Sequence, residues 1–238
     1  MSLILVLALP LALQAQTEAE APSEAEAGLE TEIRAPARKI QSDYSIGLRL
    51  LPNAGELDAG FHQSEIYRFS AVFGFASYGT TTTGGDLQAW QYVEEQSQLA
   101  GQFAMAQVEG RVWSSPSARH AVYLSSAAGA MKSKAKYSRD RYKPYNGAIC
   151  IGSCSKSLEE SVSQEAALDF WIARAGANYS YVINRDNRGW LYTFDLGATM
   201  LHVFNPQERT LGNTQYHATL GSDLIAKGAL HAGLNVRF

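Results

Sequence analysis

Few residues of this chain have the types and spacing that chemistry requires. Its five histidines, at 62, 120, 202, 217 and 231, fall in different segments. His62-Gln63-Ser64 is the one His–Ser pair of neighbours placed in a loop, with Glu56 or Asp58 as the acid that would have to complete it. A nucleophilic serine needs a base and an orienting partner, and polar surface or lumen residues explain this group more simply, so no catalytic residue is assigned and no enzyme is expected. Cys150-Ile-Gly-Ser-Cys154 has neither the spacing of a redox pair nor a histidine or second cysteine pair beside it for metal. A small loop-stapling disulfide between Cys150 and Cys154 is the plain reading. Nucleotide loops, metal clusters and glycosidase-like constellations are absent from the sequence, and no cofactor is expected. What remains is charge: Lys132, Lys134, Lys136, Arg139, Arg141 and Lys143 form a basic run whose three lysines share the face of Val122, Leu124, Ala128 and Ala130.

Composition narrows the elements that could position such residues. The 238 residues are 46% apolar and 18% charged, with 20 basic and 23 acidic side chains, far from the basic footprint of a nucleic-acid binder. The longest apolar run, Leu3 to Leu13, is shorter than the roughly 17–25 residues of a spanning helix. Followed by Gln14-Ala15-Gln16, it reads as the core and cleavage site of a secretory signal over 1–15, although Met1-Ser2 supplies no basic residue. Residues 16–40 are an acidic Ala/Glu/Pro-rich tract whose stretch 16–39 carries only Leu29 and Ile33 as bulk, too little to repay ordering entropy. Six acidic and three basic residues lie within 16–39, so the whole net charge of −3 belongs to this tract and the rest of the chain is neutral.

From Tyr44 onward the period is two, which means strands. Trp190, Tyr192, Phe194, Leu196, Ala198 and Met200 share one face. Tyr67, Phe69, Ala71, Phe73 and Phe75 share another, and Trp171 to Tyr181 repeats the pattern. Alternation alone also marks soluble sandwiches and lipocalins. Here, however, the non-bulky face is Gly, Ala, Ser, Thr and Asn with scattered Arg, Asp and Glu, which suits a small polar lumen better than a solvated exterior. Tyr179, Tyr181, Trp190 and Tyr192 flank the polar turn at 184–189, as one arc of an interfacial aromatic girdle would.

The final strand places Leu230, Ala232, Leu234, Val236 and Phe238 on one face. A terminal Phe preceded by apolar residues at every second position resembles the C-terminal assembly signal of bacterial outer-membrane β-barrels. Over residues 41–238 the chain is similar to their small eight-stranded type (the OmpA transmembrane domain, OmpX, OmpW and opacity-like proteins). The resemblance implies an all-β, transmembrane, antiparallel up-and-down barrel in the outer membrane. It also implies export by a cleaved signal, a periplasmic linker over 16–40, and partners in the barrel assembly machinery, outer-membrane lipids and lipopolysaccharide.

On that basis strands are expected near 44–51, 65–77, 87–95, 100–114, 120–134, 166–183, 190–203 and 228–238, with long outer loops at 138–162 and 204–226. Tyr216, Leu220 and Leu224 recur at four-residue intervals before Gly228, which predicts a short amphipathic helix ahead of the last strand. Eight tilted strands leave an interior that side chains fill. The inward face collects Arg49, Arg68, Glu109, Arg111, Arg174, Asp195, His231 and Arg237, which predicts a paired network centred on Glu109 and Asp195 and no general-diffusion pore. Lys132, Lys134 and Lys136 would then emerge at headgroup height, opposite lipopolysaccharide phosphates. The expected role is structural or surface-interactive, in a monomer with an unidentified loop ligand. The alternatives are an OmpW-like channel for small hydrophobic molecules and a lipid A-modifying barrel enzyme.

Overall fold

Lipid and lumen demand different side chains on the two faces of each strand, and the sequence supplies them at every second residue. The computed structural model describes residues 44–86, 91–144, 156–187 and 189–238. The signal-like segment, the acidic tract and both cysteines lie outside the described residues. Among the described residues ten strands form: β1 (Tyr44–Leu51), β2 (Ala54–His62), β3 (Tyr67–Asp86), β4 (Gln91–Ser114), β5 (His120–Pro144), β6 (Lys156–Arg185), β7 (Leu191–Val203), β8 (Glu208–Gly212), β9 (His217–Gly221) and β10 (Gly228–Arg237). Eight of them close an antiparallel barrel in which β10 lies between β7 and β1, while β8 and β9 pair as a separate hairpin. At the seam Ile46 faces Val236 and Leu48 faces Leu234. Tyr44 and Phe238 tie its end by two backbone hydrogen bonds, of 3.2 and 2.9 Å.

The barrel has the expected eight strands, but β2 to β6 have boundaries that differ from the sequence expectation. Residues 54–62, given no strand, form β2, because Glu56, Asp58 and His62 alternate with outward Leu57, Ala59 and Phe61 behind the turn at Pro52-Asn53. The strands expected at 87–95 and 100–114 are one, β4, paired without interruption from Gln91 to Gly110 against β3. The long loop expected at 138–162 is largely ladder, since β5 reaches Pro144 and β6 begins at Lys156. No amphipathic helix precedes the last strand. The backbone groups of 217–221 are satisfied by pairing with 208–212, and only the single 3-10 turn Ser222–Leu224 follows. Leu220 is buried as a strand residue, so the four-residue recurrence is coincidental.

A crossing strand needs about 9–11 residues. β1, β2 and β10 have 8, 9 and 10, whereas β3, β4, β5 and β6 have 20, 24, 25 and 30. The four long strands therefore rise past the low rim at Leu51–Ala54 as a wall on one side of the mouth away from the chain ends.

The outward positions form a continuous apolar belt. Ile46, Leu48 and Leu50 meet Leu57, Phe61, Phe69, Phe73 and Phe75 on one side and Leu230, Leu234, Leu196 and Met200 on the other, all exposed on the isolated chain. Four outward positions per strand cover about seven residues, which at about 3.3 Å each and a tilt near 40° reach roughly 18 Å, most of the ~25 Å band of membrane barrels. Aromatic rings gather at the end where Tyr44 and Phe238 meet. Tyr44 meets Phe61 and Trp190 meets Phe238, each pair at 5.7 Å, while His120 packs on Tyr181 at 5.2 Å. Apolar exposure this extensive on a closed barrel belongs in contact with lipid, not water.

Candidate functional site: a charged lumen beneath an apolar mouth

Three arginines and three acids meet inside the lower barrel. Arg49 (β1) lies 3.7 Å from Glu56, 3.5 Å from Asp58 and 3.4 Å from Glu109. Arg68 (β3) binds Asp58 and, at 2.9 Å, Glu109 of β4. Arg174 reaches from β6 across the lumen to Glu56. Neutral groups complete the shell: Arg174 donates to Gln107 Oε1 at 2.7 Å, Asn178 donates to Glu109 Oε1 at 3.0 Å, and Arg68 Nε donates to Ser45 Oγ at 2.8 Å. All six charged side chains are at most 7% exposed. Buried charges persist where each has partners and the sum is neutral, and both conditions are met. The hexad draws on β1, β2, β3, β4 and β6, so it crosses the interior rather than lining one wall. Backbones approach closely around it: a Cβ on Gly60 would sit 2.5 Å from Arg68 Nε, and only glycine leaves that guanidinium its place.

Towards the opposite mouth the inward face turns apolar. Val72, Phe103, Met105, Met131 and Ile172 fill the middle. Above them Leu99, Ala135, Tyr137, Leu168 and Phe170 receive Leu211, Leu220 and Ile225 from the segment between β7 and β10. The β8–β9 hairpin thus packs against the inner face of the tall wall. Beyond Ile172, which pairs Val203, β6 has no β7 beside it. Its free backbone is met by side chains instead: Trp171 N–H donates to Asn205 Oδ1, and Asp169 N–H to Gln207 Oε1 at 3.1 Å. Gln164 Oε1 in turn accepts from Gly212 N–H at 2.8 Å, and the Arg139 guanidinium stacks 3.2 Å above the Tyr216 ring. Gly212 has φ +112°, and a Cβ there would lie 2.1 Å from the Tyr216 carbonyl oxygen, so this hairpin turn requires glycine.

Of the residues expected in the lumen, Arg49, Arg68, Glu109 and Arg174 meet in the hexad. Arg111 lies at the chain-end mouth beside Glu65, at 3.4 Å. Arg237 occupies the same end of β10, opposite Ser45 in register. Asp195 hydrogen-bonds Ser180 and is not one of the acids that pair the arginines; Glu109, Asp58 and Glu56 each pair two of them. His231 is buried on β10 opposite Gly197, with neither ring nitrogen hydrogen-bonded among the described residues. Glu56 and Asp58, considered in the sequence only as partners for a loop serine, supply the other two acids. Their signal was the polar–apolar alternation of 56–62. His62 lies 3.2 Å from the buried Ser45 hydroxyl, while Ser64 accepts from the Ile66 and Tyr67 amides, so the His62–Ser64 pair is not assembled.

Outside the barrel, Lys132, Lys134 and Lys136 project from β5 immediately above outward Ala130. At the same level the belt ends on every neighbour: Gln102 faces Lys132 from β4 and Asp169 faces it from β6, above Ala104 and Trp171. Lys136 lies 3.8 Å from Glu165, whereas Lys134 sits between Ala100 and Ala167. At the end of the chain, Leu230, Leu234 and Phe238 are exposed to the lipid side, on the face they share with Ala232 and Val236.

No family model matches the chain, and no curated protein matches it. Among solved structures it is similar to the N-terminal β-barrel domain of Pseudomonas aeruginosa OprF (9% identity, 82% of this chain and 95% of that one, TM-score 0.38). It is also similar to a major outer membrane protein from Thermus thermophilus (13%, 82% and 98%, 0.43) and to Acinetobacter baumannii CarO (13%, 83% and 97%, 0.34). At such identities and TM-scores the barrel stands on the chain's own closure of β1 on β10.

Proposed function

We propose that this chain is a monomeric β-barrel of the bacterial outer membrane whose role is structural and surface-interactive. The observation that carries the reading is a complete apolar belt around a lumen crossed by the neutral hexad and topped by the β8–β9 hairpin. A protein built to pass solutes would keep that path open. The wall of β3 to β6 stands where an external partner would meet it, and closure of the barrel leaves no unpaired strand edge within the belt to drive oligomer formation. Leu230, Ala232, Leu234, Val236 and Phe238 act as the assembly signal, and residues 1–15 and 16–40 as cleaved signal and periplasmic linker. The hydrophobic-solute channel is disfavoured, because the apolar residues fill only one half of the lumen. Expressed in a Gram-negative host, the protein is expected in the sarkosyl-insoluble envelope fraction and to migrate faster on gels when unheated. Recovery from the soluble periplasm would contradict the reading.

Lys132, Lys134 and Lys136 are assigned to lipopolysaccharide phosphates at the top of the belt. Lys134, whose cross-strand neighbours are both alanine, is the strongest candidate, since Asp169 and Glu165 offset the other two. Reversing Lys132 and Lys134 to glutamate is expected to weaken lipopolysaccharide co-purification several-fold without changing heat-modifiable migration. Unchanged association would remove the assignment.

A further inference from the structure

Between the hexad and the hairpin lies a chamber that the proposed role leaves unused. Leu51, Phe103, Met105, Met131, Ile172 and Leu201 wall a cavity of about 80 Å³, to which Glu56 and Arg174 contribute the charged side chains. Its rim includes the Leu51–Ala54 turn, where Pro52 and Asn53 are exposed, together with Ala226 and Ala229. The chamber is therefore reached from outside, over the low side of the barrel mouth.

Its charged end is incompletely matched. Glu56 and Arg174 bind each other through Oε1 and Nη1, and Arg174 Nη2 donates to Gln107. Glu56 Oε2, whose nearest cation is Arg49 Nη1 at 3.7 Å, and Arg174 Nε nevertheless have no hydrogen-bond partner among the described residues, although the side chains of Glu56 and Arg174 are only 3% and 4% exposed. A buried acceptor and a buried donor without partners each forfeit a hydrogen bond that water would have supplied. The hydroxyl is the smallest group that donates to one and accepts from the other. The charge count excludes ions: with three arginines balanced by three acids, an added anion or cation would stand uncompensated in a chamber lined mostly by apolar side chains. Volume sets the size, since about 80 Å³ is roughly half of the ~150 Å³ cavity that holds a benzene. Two methionines give the walls the adaptability that a variable alkyl group needs.

We propose that this chamber binds a small neutral alcohol, its hydroxyl bridging Glu56 and Arg174 and its alkyl body lying among Phe103, Met105, Met131 and Ile172. The inference goes beyond the structural role and does not depend on it.

The test uses the full barrel in lipid nanodiscs with methionine methyl groups labelled with carbon-13, titrated with ethanol and with its near-isostere fluoroethane, which cannot donate. Met105 and Met131 line the chamber, whereas Met200 is 73% exposed on the lipid face and reports partitioning into the bilayer. The expected result is saturable shifts at Met105 and Met131 with Met200 unmoved, and half-saturation about tenfold higher for the fluoro compound, the scale of one buried hydrogen bond. Ala229→Leu, which fills the rim, is expected to abolish those shifts and keep heat-modifiable migration. Should that variant fail to fold, the pair of probes on the wild-type barrel decides alone. Absence of shifts at Met105 and Met131, parallel movement of all three methyls, or equal response to the two probes would each overturn the proposal.

Discussion

Glu109→Ala is expected to cost the folded barrel about 3–5 kcal/mol, the range for removing one partner from a buried ion pair. Glu109 joins Arg49, Arg68 and Asn178, so its loss leaves the hexad with three arginines against two acids and deprives Asn178 of its acceptor. Urea titration of the barrel in lipid vesicles measures the effect as a lowered midpoint. The paired change Arg68→Met/Glu109→Leu restores neutrality, with Arg49 and Arg174 still facing Glu56 and Asp58. It is expected to recover most of the loss, as replacement of buried ion pairs by apolar groups does elsewhere. If single and paired variants lose the same amount, charge balance is not what the hexad supplies. The half-exposed pair Lys136–Glu165, at 3.8 Å, gives the contrast: breaking it is expected to cost no more than about 1 kcal/mol.

Leu48→Arg has the next largest expected effect, about 2–4 kcal/mol, because a cation near the middle of the lipid-facing belt loses its hydration. Leu48 is 52% exposed on the isolated chain, next to Leu234 on β10 and Leu57 on β2, two outward positions from Tyr44 at the girdle. The same substitution at Gln102, which faces Lys132 where the belt ends, is expected to cost about 0–1 kcal/mol. The two variants read in the same vesicles test depth dependence. Equal costs at the two positions would mean that the belt does not sit in lipid as the structure implies.

Which parts of this architecture were legible beforehand follows from how strongly each strand alternates. Strands such as β3 and β7, with Phe69, Phe73 and Phe75 or Phe194, Leu196 and Met200 opposite small polar residues, could be read directly. Arg49, Arg68, Glu109 and Arg174 stood out because each is a lone charge on a small-residue face. β2 was missed because its inward face carries Glu56, Asp58 and His62, so nine residues with two glycines looked like a polar loop. With β2 went two acids of the hexad, and Asp195 was given their place although it turns to Ser180. The residues between β7 and β10 deceived through spacing: Tyr216, Leu220 and Leu224 repeat as a helix would, yet pairing with β8 decides the conformation. The height of the wall was hidden for a related reason. Beyond the stretch covered by the hairpin, residues such as Arg141, Glu159 and Glu160 pair across strands without marking an inside and an outside. The division of the lumen into a charged and an apolar half was not visible at all. It depends on which inward residues share a level, and that is set by register rather than by any one strand.

A barrel of this width is a conduit or a plug according to whether its charged interior holds together. The full-length protein in a planar lipid bilayer tests that most directly. The hexad and the seated hairpin predict a membrane that shows no persistent unitary conductance at moderate voltage. A wide, stable, nanosiemens-scale step from the purified protein would contradict the sealed lumen.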